Sequence, residues 1–109
     1  MRNISFAALI VLTITSTAAV AECEMLFVEA NATFIRATVH CKRNYMDTPA
    51  GFYALAMARQ CKSLREDELS KAGMAAMVKL DEIAKQKGKA AACKWVDDLE
   101  KSIVSDVVR

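Results

Sequence analysis

Four cysteines, one histidine and six methionines are the side chains of this sequence best suited to redox or metal chemistry. Cys23, Cys41, Cys61 and Cys93 are widely spaced, and no CxxC redox pair or CxxCH haem attachment occurs. His40 stands alone, so the histidine pairs and triads from which zinc and copper sites are built cannot be assembled. Its position predicts a surface histidine on the polar strip of a helix. Met74 and Met77, with Met57, carry thioethers that suit copper(I), yet at helical spacing they read as core filler. Asp97 and Asp98 are neighbours on a helix and point about 100° apart, so they do not form a carboxylate pair. GxSxG and glycine-rich phosphate loops are absent from the sequence. The Asn31-Ala-Thr33 sequon falls in mid-helix, which argues against its use. This inventory predicts a protein that is not an enzyme and takes no cofactor and no metal.

The cysteines acquire a meaning from the compartment. Residues 1–21 have one cation, Arg2, an apolar run from Phe6 to Leu12 and the small-residue ending Ala19-Val20-Ala21, the pattern of a secretory signal peptide cut before Glu22. The run falls short of the ~20 apolar residues of a membrane span, so no transmembrane segment is expected after cleavage. Residues 22–109 then form a single helical domain, periplasmic or secreted, and four cysteines in a small exported chain read as two disulfides. The formal net charge of +2 falls by one with Arg2, which leaves no general attraction to nucleic acid.

The elements that position these residues follow from hydrophobic spacing. With three glycines, one proline and no sustained alternation, the chain predicts an all-α fold, a small four-helix bundle. Cys23, Phe27, Ala30, Phe34, Ala37 and Cys41 step by four and three along a first helix reaching about Asn44. Thr48 caps a second, with Pro49 at its first position, running to about Lys62. Ser63 and Glu66 have the spacing of a capping box for a third, whose core face is Leu69, Gly73, Ala76, Leu80 and Ile83 and which ends at Gly88. Ala92, Val96, Leu99, Ile103 and Val107 line a fourth, which either stands separate from the third or meets it at a kink.

Helix geometry constrains the disulfides. Eighteen residues of helix separate Cys23 from Cys41 by ~27 Å, whereas bridged Cα atoms lie within ~7 Å, so these two do not pair. Up-and-down packing brings the end of the first helix to the turn between the third and fourth. That favours Cys41–Cys93 with Cys23–Cys61; the crossed alternative is Cys23–Cys93 with Cys41–Cys61.

Two further patterns bear on function. Met25, Val28, Ala32, Ile35 and Val39 form a second apolar stripe on the first helix, roughly 160° from the first at 100° per residue. Either the helix is sandwiched between neighbours, or part of this stripe is exposed and binds a partner or a second copy of the chain. Lys42, Arg43, Lys85, Lys87, Lys89 and Lys94 gather at one end of the bundle, with Glu22, Glu24, Glu66, Asp67 and Glu68 near the other. Helix macrodipoles favour that distribution by themselves, and an acidic partner would also fit it. The sequence thus points to an exported interaction module of the bacterial envelope that binds or inhibits a protein partner, or a second copy in a homodimer, without catalysis. The expected contact residues are Met25, Val28, Ile35, Val39, Lys42, Arg43, Lys85, Lys87 and Lys89. The alternative is a periplasmic stress-responsive holdase chaperone.

Overall fold

The structure, a computed structural model, describes residues 24–61 and 65–108, and the side chains of the last helix to Asp106. The signal-peptide reading, Glu22, Cys23, Lys62 and Ser63 lie outside the described residues. The fold is all-helical, with α1 (Met25–His40), a 3-10 turn (Tyr45–Asp47), α2 (Pro49–Ala58), α3 (Glu66–Lys87) and α4 (Lys89–Val108). Among the described residues there is no strand, and no helix is long and apolar enough to cross a membrane.

Helix α1 forms the axis of the bundle and touches each of the other three helices. Its first apolar stripe does what the spacing predicts: Phe27, Ala30, Phe34 and Ala37 are buried, against Ala50 and Ala54 of α2, Leu80 of α3 and Ala92, Val96 and Ile103 of α4. Rings hold the two ends of this core. Phe27 meets Tyr53 edge-on at 5.3 Å, and Phe34 stacks on Tyr45 at 5.9 Å with the planes 11° apart. Ala32 lies beside Gly73, while Arg36 and His40 both reach Asp81. Helices α1 and α3 therefore run side by side in the same direction, and α4 returns against them.

The boundaries correct the sequence expectation at three places. The first helix ends at His40 instead of Asn44, because Cys41 adopts an extended conformation where it is tied to Cys93, and Asn44 instead caps the 3-10 turn by accepting from the Met46 amide. The second ends at Ala58, and although it is almost wholly apolar, Phe52 on its outer side is exposed. The third begins at Glu66, with Arg65 as its flanking residue and no side-chain cap from it, while Ser63 of the expected capping box lies outside the described residues. Its first turn carries Glu66, Asp67 and Glu68, carboxylates that favour the positive end of the helix dipole. Thr48 caps α2 as expected: its hydroxyl accepts from the Gly51 amide and donates to the Tyr45 carbonyl.

The third and fourth helices are separate, joined by the single residue Gly88. Its φ of +97° lies in a region that side chains with a Cβ disfavour. Its amide closes the last turn of α3 on Ala84, and its carbonyl opens α4 by accepting from Ala92. Cys41 and Cys93 are bridged with Cα atoms 5.8 Å apart, which removes the crossed connectivity. Cys61 is buried, and Cys23, the partner that the sequence reading gives it, is outside the described residues.

Candidate functional site

The second stripe of α1 divides in the folded protein. Val28, 9% exposed, and Ala32 are buried, and Met25 is partly buried, so Val28 belongs to the core of the chain. Ile35 and Val39 remain 44% and 57% exposed. The stripe is thus covered in the N-terminal half of α1 and open in its C-terminal half, because neighbouring elements reach only the first of these.

Across from Ile35 and Val39, α3 carries Met74, 60% exposed, and Val78, half exposed. Met74 is therefore not the core filler that its spacing suggested. At 100° per residue, Ile35 and Val39 lie roughly 80° round α1 from the Ala32–Arg36–His40 line that meets α3. Met74 and Val78 lie roughly 80° round α3 from its Gly73–Asp81 line, in the opposite rotational sense. For parallel helices, opposite rotations from facing lines lead to the same side. The four residues therefore share one face of the α1–α3 pair. Lys85, exposed, continues the α3 side of this strip at i+7 from Val78.

A polar cluster lies between the two apolar rows. Arg36 donates to both oxygens of Asp81 at 2.9 Å, and His40 Nε2 is 2.6 Å from Asp81 Oδ1. The guanidinium and the imidazole hold the Asp81 carboxyl below its ordinary range, while the same contact raises Arg36. The His40 side chain is only 14% exposed, so it is not the surface histidine expected. It lies in the α1–α3 seam beside the bridge, with the Cys93 sulfur 3.6 Å from its carbonyl oxygen. No nucleophile is hydrogen-bonded to the imidazole among the described residues, and no group of three or more metal-ligating side chains occurs among them.

The basic end is partly free and partly engaged. Lys42, Lys85, Lys87 and Lys89 are exposed and have no carboxylate partner among the described residues. Arg43, by contrast, is clamped to Glu100 by a two-point contact at 2.7 and 2.8 Å, reaches Asp97 at 3.4 Å and lies over the Tyr45 ring. Asp97 also accepts from the Tyr45 hydroxyl at 2.6 Å. Burial, and then that carboxylate, push the Tyr45 phenol up to about 12. Asp98 turns away to pair with Lys94, so the two adjacent aspartates diverge as their positions predict.

Of the residues assigned from sequence, the structure brings Ile35, Val39, Lys42, Lys85, Lys87 and Lys89 to the surface, leaves Met25 partly covered, buries Val28 and engages Arg43 internally. Sequence reasoning missed Met74 and Val78. Their i, i+4 spacing beside the α3 core face was the available signal, although only the direction of α3 relative to α1 shows that they join the Ile35 row. No protein-family model, no curated protein and no solved structure matches the chain.

Proposed function

We propose that the protein is an exported contact module: it binds or inhibits a protein partner through the strip formed by Ile35, Val39, Met74 and Val78, beside the cationic end at Lys42 and Lys85. The observation that carries this reading is the strip itself, an apolar row left open on two parallel helices. Further toward the N-terminus of the same stripe, Val28 and Ala32 are covered. Exposed apolar surface rimmed by charge is characteristic of association sites, and here two apolar rows flank a mutually neutralised ion pair. The Arg36–Asp81 pair within it satisfies its own charges, so a partner can cover it without leaving an ion unpaired. The periplasm, or the medium outside the cell, is the compartment that fits a disulfide-bonded chain with a signal-peptide pattern at its start.

The test uses the full-length exported protein as bait in an envelope extract, beside the Ile35→Asp variant. Because Ile35 is half exposed, the charge should leave stability within about 0.5 kcal/mol of the parent, while binding or self-association is lost. A stable Ile35→Asp protein that retains every partner of the parent removes the strip from consideration. Under the holdase reading, unfolded client proteins would instead be held only after acid exposes further apolar surface, seen as ANS fluorescence that rises on acidification.

A second bridge completes this proposal. Cys61 is among the disulfide-bonded cysteines, no cysteine is free among the described residues, and Cys41 and Cys93 take each other. We propose Cys23 as the partner for Cys61, the pairing that the sequence spacing favours. Non-reducing peptide mapping of the exported protein should join the peptides holding these two, in a chain that begins at Glu22. A mass that still includes residues 1–21, or a Cys61 linked between two chains, would contradict it.

A further inference from the structure

On the opposite side of the α1–α3 pair from the strip, two adjoining recesses share two residues, Lys79 and Trp95. The first, about 260 Å³, opens where α1, α3 and α4 meet, and Leu26, Ala30, Ala76 and Leu99 make it mostly apolar. The second, about 470 Å³, is a shallower groove between α3 and α4, where Lys87 and Lys94 face Ile83. The Lys79 ammonium lies 5.3 Å from the centre of the Trp95 ring, at the boundary between them. Two carboxylates line the recesses, Glu29 in the first and Asp98 in the second. Asp98 is held by Lys94 at 3.1 Å, whereas Lys79 and Lys87 have no carboxylate partner among the described residues.

We infer that this pair of recesses binds a single-chain anionic amphiphile, its alkyl chain in the α1–α3–α4 recess and its carboxylate or phosphate between Lys79 and Lys87. The inference is independent of the strip and of the contact function proposed for it. Small-molecule sites combine an apolar cavity with a few convergent polar groups, and here the apolar and cationic portions meet along one aromatic ring. Complementarity of charge selects the head group: two unpaired ammonium groups face the groove, and its one carboxylate is already neutralised. The available depth selects the tail, because the first recess has the volume of a short chain and lies below the ~300–1,000 Å³ of drug-sized pockets.

Trp95 is the only tryptophan of the chain, so its emission reports on the site directly. Titration with decanoate or decyl phosphate below their micelle thresholds should give a saturable blue shift, with acetate and inorganic phosphate silent and decanol weaker by about tenfold. The double substitution Lys79→Glu with Lys87→Glu should abolish the preference for the anion over decanol. Ala75→Leu, at an exposed position on the rim, should fill the first recess and weaken decanoate by a similar factor while leaving helicity unchanged. Equal responses to decanoate and decanol would overturn the inference. So would a shift unaffected by both variants, or a shift seen only with anionic vesicles and never with the monomeric amphiphile.

Discussion

Replacing Cys41 and Cys93 together by Ala should lower the free energy of unfolding by roughly 2–5 kcal/mol, measured by urea titration of the oxidised protein. The bridge closes a separation of 52 residues, for which the loss of chain entropy in the unfolded state corresponds to about 4 kcal/mol. Small domains have only ~5–15 kcal/mol in total. The consequence should also be local. The bridge is what holds the extended Cys41 against the second turn of α4, and Tyr45 enters the core four residues later, stacked on Phe34 and bonded to Asp97. Loss of the tether should therefore release the Cys41–Asp47 connection first, read as faster amide exchange there than in α3. A double variant as stable as the parent would mean that the core alone fixes the end of α1.

Gly51→Ala should be nearly as damaging, by roughly 3 kcal/mol, against the intrinsic preference of helices for alanine. A Cβ at Gly51 would collide with the Tyr45 carbonyl oxygen and come within 2.8 Å of the Met46 Cα. Both are backbone atoms of the 3-10 turn, so no side chain can rotate out of the way. The turn would have to move, and with it the Thr48 cap and the Tyr45 ring. Gly73→Ala is the control, since the added methyl would meet only the Ala32 methyl at 3.6 Å. It should be neutral or slightly stabilising. A loss of thermal stability in Gly51→Ala no larger than in Gly73→Ala would refute the close approach of turn and helix.

Most of the frame was legible because it is written in local spacing. The stripe Phe27, Ala30, Phe34 and Ala37, the cap at Thr48 and the stop at Gly88 each depend on residues within a turn or two. The Cys41–Cys93 bridge followed from helix length and alternating direction. The failures share a cause of the opposite kind. His40 was placed on the surface because its partner Asp81 is 41 residues away, and Tyr45 drew no notice because Asp97 is 52 residues away. Arg43 looked free because Glu100 is 57 residues distant. Side-chain pairings across such intervals leave no periodic trace, since either member would suit an exposed helix equally well. The candidate site was half legible for the same reason. Ile35 and Val39 belong to a stripe on one helix, whereas their union with Met74 and Val78 is a property of two.

Gly88 gives the hairpin of α3 and α4 an all-or-none character. On either side of it the backbone is ordinary helix, and without the reversal at this residue the two segments would continue as one rod of ~65 Å at 1.5 Å per residue. The backbone torsions of this one residue thus choose between a folded hairpin and a straight shaft that would leave the apolar side of α4 without α1 to cover it. The choice is recorded covalently five residues later, because Cys93 can reach Cys41 of its own chain only when the hairpin is closed. The finished bond is therefore a covalent record that α4 has folded back on its own α1.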